Sequence, residues 1–183
     1  MRKCLILFGL VLLAAGSAMA QEGPNFEVAG TYQYVRINPG QGAPSEGCHG
    51  FGGNGAVNVN RWLGIVGDFG YCGVTGLPSG TSSHEINYLF GPRVSFRNYG
   101  RVTPYFQFLL GGDHATAKST SGNTTVSVSD SAFAFTLGGG LDARLTPHVS
   151  LRAIQFEYFP TRFGGTTQNN IRLQTGLVYR FGK

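Results

Sequence analysis

The sequence contains little charge and little sulfur, and it has no long apolar run beyond its first twenty residues. Charged residues make up 13% of the 183 residues, and the basic ones, mostly Arg, are scattered singly. Nucleic-acid-binding proteins concentrate basic residues in runs or on one helix face, so this scatter gives no support to nucleic-acid binding. No stretch after residue 20 has the roughly 18 consecutive apolar residues of a transmembrane helix, which excludes such a helix there.

The first twenty residues have the organisation of a cleavable secretory signal peptide. Arg2 and Lys3 precede the apolar stretch "CLILFGLVLLAAG", and the small residues "SAMA" end at Ala20. We expect Sec-type export with cleavage after Ala20, which divides the chain into a signal peptide, 1–20, and one domain, 21–183. Without Arg2 and Lys3, 12 of the 14 basic residues remain against 9 acidic ones, a formal net charge of +3.

The residues present in quantity are glycine and the aromatics. The chain contains 29 glycines, and aromatic residues reach 13%. With no helical periodicity, this composition is typical of an all-β protein. Two-residue alternation predicts eight strands, at roughly 25–36, 50–60, 62–72, 85–97, 102–116, 131–145, 148–159 and 169–181.

The connections between these strands alternate in length. Short turns follow strands two, four and six, whereas long polar segments follow the others, at 37–49, 73–84, 117–130 and 161–169. Outer-membrane barrels have short periplasmic turns and longer extracellular loops, and each strand needs only about 9–11 residues to span the bilayer. The sequence therefore predicts an eight-stranded antiparallel up-and-down transmembrane β-barrel, with both termini in the periplasm and four extracellular loops.

The two faces of the predicted strands differ in size as well as polarity. In strand six Phe133, Phe135 and Leu137 alternate with Ala134 and Thr136. Small polar residues suit a narrow lumen, and lipid accommodates bulky apolar ones, so we expect the apolar face to point outward. A soluble, periplasmic, lipocalin-like ligand-binding barrel would turn that face inward and stays an alternative.

Acidic and basic residues are balanced on the predicted lumen face. Buried charges are tolerated when they are paired, so an ion-pair network is expected there. Its predicted members are Glu27, Asp68, Glu85, Arg93, Arg97, Asp142, Arg144, Glu157, Arg172 and Arg180. The same balance fits a narrow porin for ions or small solutes, which is the principal alternative function.

Two positions disturb the alternation. Pro92 lies in the middle of strand four, where its missing N–H predicts a β-bulge at Gly91–Pro92. In strand seven Arg152 and Glu157 cannot share a face without an inserted residue, so a second bulge is expected near Ala153.

Cys48 and Cys72 are the cysteines that remain after cleavage. In a tight hairpin about Asn60, opposed residue numbers sum to about 120, as 48 and 72 do. We therefore predict a cross-strand disulfide at the extracellular rim, closed in the oxidising periplasm, with two free buried thiols as the alternative. No further ligands at suitable spacing suggest a metal site.

The histidines do not predict an enzyme. His49, His84 and His114 lie at loop edges without a Ser or carboxylate at a persuasive spacing. "HVS" at 148–150 resembles the His-x-Ser of lipid A deacylases, but it follows a predicted periplasmic turn, at the wrong end for that chemistry. We expect no catalytic residue and no cofactor.

Aromatic residues near the strand ends are expected to mark the two lipid–water boundaries. They are Trp62, Tyr105 and Phe181 towards the periplasm, and Tyr32, Tyr34, Tyr71 and Tyr88 towards the outside.

Five segments of the chain resemble the OmpA-like transmembrane domain, within the family of small outer-membrane β-barrels. They are "NVNRWLGIVGDFGY", "YLFGPRVSFRN", "RVTPYFQFLLGGDHA", "FAFTLGGGLDARLTPHVSLR" and "NNIRLQTGLVYRF". The resemblance implies a monomeric outer-membrane protein in contact with outer-membrane lipid, with a structural or surface-interaction role; the loop ligand stays unknown. The OmpA-type peptidoglycan-binding domain is expected to be absent, because the chain stops two residues after the last strand.

The resemblance also implies a biogenesis route. Periplasmic chaperones and the barrel-assembly machinery would act on the protein, and the machinery would read a terminal strand that ends in an aromatic residue. The residues that match this assembly signal are Leu173, Leu177, Tyr179 and Phe181.

Overall fold

A computed structural model describes residues 25–39, 45–97, 100–122, 124–163 and 166–182 of the chain. The expected signal peptide, 1–20, lies outside the described residues. Within these ranges no helix has both the length and the apolar character needed to cross a membrane.

Eight antiparallel strands close into a barrel in which each strand pairs with the next and β8 pairs with β1. The strands are β1 (Phe26–Ile37), β2 (Glu46–Asn58), β3 (Leu63–Thr75), β4 (Thr81–Ser95), β5 (Val102–Ser121), β6 (Thr124–Arg144), β7 (Val149–Phe163) and β8 (Thr166–Phe181). The predicted number, order and pairing direction of the strands are confirmed.

The strands are strongly tilted. The partner of Leu63 on β4 is Val94. Following cross-strand partners from there to each next strand, once around the barrel, leads back to β3 at Gly73. This return point lies ten residues further along β3 (73 minus 63), which is the stagger of the closed sheet. Such a stagger requires strands inclined to the barrel axis, and it brings residues from distant strands to the same height in the lumen.

Bulky apolar side chains cover the outside of the barrel, as predicted. Phe51, Phe90 and Phe133 are each more than half exposed to the surroundings. Glu, Asp, Asn, Gln and Arg side chains fill the inside. Tyr105 is the exception to the aromatic assignment: it is buried in the lumen, because the odd-numbered residues of β5 face inward, and it is not a boundary residue.

At one end of the barrel the strands stop at short connections, whereas at the other end some strands project well past the rest. The end with both termini, here called the terminal end, has the connections 59–62, 96–101 and 145–148. At the opposite end, here called the projecting end, the expected long loops are wrong for two connections. The strands continue through most of 117–130 and 161–169, leaving only 122–123 and 164–165 between them. The β-branched and hydroxyl side chains there favour extended structure.

The expected irregularities have different outcomes. Opposite Ala153 the register against both neighbouring strands shifts by one residue, so the bulge in β7 is confirmed. No register shift occurs at Gly91–Pro92, so that bulge is wrong. The proline is accommodated instead by a gap in the pairing with β5, which resumes at Arg93 with its register unchanged.

Candidate functional site

The lumen contains two connected layers of ion pairs. The layer near the terminal end is centred on Glu27, the second residue of β1, whose carboxylate is almost fully buried. Three guanidinium groups surround it, with N–O distances of 2.9 Å to Arg97, 3.3 Å to Arg180 and 3.9 Å to Arg93. One acid from β1 therefore links β4, the turn after it and β8.

Arg152 completes this layer from β7. Its guanidinium lies 3.0 Å from Asp142 and donates at 2.9 Å to the Gln155 side chain. The Tyr105 ring lies between Arg152 and Arg93, whose guanidinium carbons are 4.8 and 4.6 Å from the ring centroid. The ring separates two like charges and offers both an attractive π face.

The layer towards the projecting end is centred on Arg172 of β8, which is fully buried. Its guanidinium lies 2.7 Å from both Asp68 and Glu157, and it donates at 2.9 Å to Asn87. Charge-assisted bonds of this length are the strong ones. Arg172 therefore connects β3, β4 and β7 across the width of the lumen.

Gln107 joins the two layers. Its amide oxygen accepts a bond from Arg93 at 2.8 Å, and its amide nitrogen donates to Glu157 at 2.7 Å. Side chains with long reach thus occupy the lumen from its terminal end to the level of Arg172.

Eight of the ten predicted lumen residues come together in these ion pairs. The exceptions are Arg144 and Glu85. Arg144 is exposed at the terminal end and donates to the Gly100 carbonyl oxygen. Glu85 is buried on the lumen wall but has no basic partner among the described residues. Arg152 also belongs to the network. Its only signal in the sequence is that strict alternation would place it and Glu157 on opposite faces of β7.

The Cys48–Cys72 disulfide is present at the projecting end, with a Cα–Cα distance of 5.5 Å. The register differs from the predicted one, because Cys48 pairs with Val74 and Cys72 with Gly50. The bridge is therefore diagonal, and the hairpin is centred on residue 61. The two sulfurs and the Glu85 carboxylate lie within 4.8 Å of one another, but bonded sulfurs cannot serve as thiolate metal ligands.

His114 and His148 contact groups that do not form a catalytic relay. His114 Nδ1 lies 2.8 Å from Ser131 Oγ, yet Asp130 bonds the backbone N–H of Ser131 instead of the ring. His148 Nδ1 faces the Arg180 carbonyl oxygen at 3.3 Å. A nucleophile–base pair needs a third group that orients the base, and neither set supplies one within the described part of the chain.

The β5–β6 hairpin is the main feature of the projecting end. Its outer face is polar, with Thr116 bonded to Ser129 and Thr120 bonded to Thr125. Its apolar side chains include Val126 and Val128, which are even-numbered, like the β6 residues that face the lumen inside the barrel wall. Both valines are more than half exposed. The outward face thus changes from apolar to polar between Phe133 and Ser131, which marks where the membrane-facing wall ends.

Comparison with known proteins places this geometry in a family. A model of the outer membrane protein β-barrel domain matches residues 6–181. The fold is similar to that of Neisserial surface protein A (NspA), with a TM-score of 0.66, 18% identity, and 87% of this chain and 100% of that chain covered.

Two further solved structures share the fold. Ail, the attachment invasion locus protein of Yersinia pestis, has a TM-score of 0.56 and 21% identity over 85% of this chain and 96% of that chain. The outer membrane protein OprG from Pseudomonas aeruginosa has a TM-score of 0.58 and 12% identity over 91% and 100%. A search of curated protein sequences gave no match.

Proposed function

The chain belongs to the family of outer membrane protein β-barrel domains, and on this premise we propose a barrel that is closed inside and engages partners outside the cell. The protein is an integral β-barrel of the outer membrane type. Its termini face the periplasm, and its projecting end faces the exterior. Export by the expected signal peptide, with cleavage after Ala20, belongs to this proposal.

The position of the apolar residues supports the membrane-embedded barrel over a soluble ligand-binding barrel. A lipocalin-like protein needs an apolar lumen for its ligand and a charged exterior. Here Arg93, Arg152 and Arg172 are fully buried inside, while Phe and Leu side chains are exposed outside. Lipid is the medium in which that exterior is stable, so outer-membrane lipid is the proposed partner of the wall.

The ion-pair network argues against the narrow porin. Arg172, which would have to move to open a path, is held by contacts with Asp68, Glu157 and Asn87. Breaking a buried pair leaves an uncompensated charge, which costs several kcal/mol. The lumen of eight-stranded barrels is just wide enough for side chains to fill.

Planar bilayers with the folded protein are therefore expected to show no discrete channels. Proper insertion is checked by the compact migration of the unboiled protein on a gel. Heat-denatured protein added to the same bilayers gives the background. Repeated conductance steps of uniform size, present only with the folded protein, would contradict the closed lumen.

The projecting β5–β6 hairpin carries the proposal of an exterior partner. β6 has one edge that faces β5 and one that faces β7. In the described part of the chain, the edge towards β7 is unpaired from Thr124 to Ala132. The residues Thr124–Ser131 are all exposed, and Asp130 is the one residue among them of the charged or Pro type that commonly protects strand edges. A row of unpaired backbone N–H and C=O groups recognises an extended polypeptide, which adds as a further strand.

A partner polypeptide fits this edge better than a second copy of the barrel. Two copies in one membrane share an orientation and are related by a two-fold axis along the membrane normal, so their tilted β6 strands cross. A regular ladder of hydrogen bonds cannot form between crossing strands. A monomer is therefore part of the proposal. NspA and Ail, which share the fold, are named a surface protein and an attachment invasion protein.

Removing the hairpin tip tests this role. The variant lacks Lys118–Ser127 and joins the paired residues Ala117 and Val128 through Asn-Gly, a two-residue hairpin turn. The probe is a fluorescent peptide that copies Ala115–Ser121, which pairs with the other edge of β6 and is therefore compatible with an extended strand beside it. We expect saturable binding to the intact protein and at least a tenfold loss in the variant, measured by fluorescence anisotropy.

The variant must retain heat-modifiable migration, since its barrel wall is untouched. Equal binding by both proteins would show that the peptide uses another surface, and no binding by either would show that the edge accepts no strand. Both results would remove the support for an exterior partner at this hairpin.

Assembly of the barrel is the remaining part of the proposal. Leu173, Leu177, Tyr179 and Phe181 lie on the outer face of β8, where a receptor can reach them before the sheet closes. We propose that the barrel-assembly machinery, with periplasmic chaperones before it, recognises this face.

A further inference from the structure

Two carboxylates on the lumen wall take no part in the ion-pair network. Glu85 of β4 and Asp113 of β5 are 7% and 1% exposed, and neither forms an ion pair within the described ranges. Asp113 is the cross-strand partner of Asn87, and Glu85 lies two residues before Asn87 in β4, towards the projecting end and opposite Ala115. The two acids thus lie diagonally across neighbouring strands, two residues apart in register. They lie between the layer of Arg172 and the mouth of the barrel.

Asp113 is unpartnered in a way that the other lumen acids are not. Neither of its carboxylate oxygens accepts a hydrogen bond, although both are shielded from solvent. The backbone N–H of His114 and the charge of Arg172 are the favourable groups near it. A buried charge without partners is unstable, so some positive charge or proton must meet it there.

The existing bases cannot meet this need. Arg172, the nearest guanidinium, is already bonded to Asp68, Glu157 and Asn87. The network holds five Arg side chains against four acids, so Glu85 and Asp113 bring the lumen to six acids against five bases.

More negative charge lies above the pair. Besides Asp113, the charge of Glu46 acts on Glu85, and Glu46 is the first residue of β2 at the projecting end, where it is partly exposed. Three carboxylates from β2, β4 and β5 thus lead from the mouth of the barrel to Asp113.

We propose that Glu85 and Asp113 bind a hard divalent cation, of the Ca²⁺ class, that enters from the exterior. Oxygen atoms are the ligands available, and the cysteine sulfurs beside Glu85 are bonded to each other, which disfavours Zn²⁺. Ca²⁺ accepts irregular sets of oxygen ligands and water, whereas Mg²⁺ demands near-ideal octahedral geometry. The cation balances the acids that the guanidinium groups leave unpaired.

Calorimetric titration of the folded full-length protein with CaCl₂ tests the site. We expect one saturable site with a Kd on the order of 10⁻⁴ to 10⁻³ M, the range of extracellular Ca²⁺ modules. Asp113→Asn and Glu85→Gln are each expected to weaken binding at least tenfold. The matched control is Asp130→Asn, an exposed acid on the β5–β6 hairpin, which should leave the Kd unchanged.

A second measurement separates the cation from a proton. Saturating CaCl₂ should raise the Tm of the intact protein, as followed by loss of compact gel migration, and should leave the Tm of Asp113→Asn unchanged. Absence of saturable heat at about ten times the expected Kd would overturn the proposal. Equal Ca²⁺ binding in the Asp113→Asn variant would also overturn it. So would an intact protein whose Tm does not respond to Ca²⁺ while Asp113→Asn has the higher Tm, which indicates a protonated pair.

Discussion

Replacing Arg172 with alanine is expected to destabilise the folded barrel by about 3–5 kcal/mol. The change removes the one cation between Asp68 and Glu157, both of which are buried and within 2.7 Å of it. Two acids then stand in a low-dielectric lumen without a base. The loss exceeds that of an ordinary surface change because the remaining charges, and not only the lost contact, raise the free energy of the folded state.

Urea unfolding in lipid vesicles measures this loss. Trp62, the only tryptophan, lies on the outer face near the terminal end and reports on its transfer between lipid and water. The matched control is Arg144→Ala, because Arg144 is exposed and donates only to a backbone carbonyl. That change should stay within about 0.5 kcal/mol.

A compensated variant separates charge from packing. Arg172→Met together with Asp68→Asn and Glu157→Gln removes the unpaired charges and keeps much of the volume, so most of the stability should return. If Arg172→Ala costs no more than Arg144→Ala, the network does not hold the lumen together, and the closed barrel needs another explanation.

The wall of the barrel is predictable from the sequence because the backbone of a strand sets the facing of its side chains. Glu27, Asp68 and Arg172 belong to strands with undisturbed alternation, and all three lie inside as predicted. Their partners are harder to foresee. Asp68 and Arg172 are 104 residues apart in the chain, and they meet because the tilt and stagger of the strands bring β3 and β8 to one height.

Arg152 shows where alternation fails. The bulge at Ala153 reverses the facing of the residues on one side of it, and the conflict between Arg152 and Glu157 predicts that bulge. Both residues in fact lie inside, since the inserted residue restores the lumen face. The bulge places both residues on one face, and contacts with the neighbouring strands, which a single strand does not reveal, make Arg152 a member of the lumen network.

The projecting hairpin shows a second limit. Below the membrane boundary β6 has its apolar residues outside, whereas above it the hydroxyl side chains are outside and Val126 and Val128 are on the opposite face. The alternation continues, but polar residues take the outward positions and apolar residues the inward ones. A reader of the sequence who expects apolar residues at the outward positions along the whole strand therefore interprets the segment as a polar loop. The change of solvent from lipid to water, and not a change of backbone, produces the reversal.

Deleting Tyr179–Lys183 is expected to prevent accumulation of the folded barrel in the outer membrane. Tyr179 and Phe181 pair with Val28 and Phe26 of β1, and Arg180 pairs with Glu27, so the deletion removes the terminal end of the seam that closes the sheet. It also removes a guanidinium from the Glu27 cluster. An open edge and a weakened ion-pair cluster act together here.

Point variants separate closure of the barrel from recognition by the assembly machinery. Phe181→Ala keeps the backbone pairing with Phe26 and removes only an exposed ring, so it should refold in detergent almost as well as the intact protein. In cells the same variant should accumulate at a fraction of the normal level, as measured by heat-modifiable protein in the membrane pellet. Deletion of 182–183 alone is the control, because these residues follow the end of β8 at Phe181. Normal membrane insertion of the Tyr179–Lys183 deletion would refute the role of the terminal strand. Equal defects of Phe181→Ala in detergent and in cells would assign the ring to stability and not to recognition.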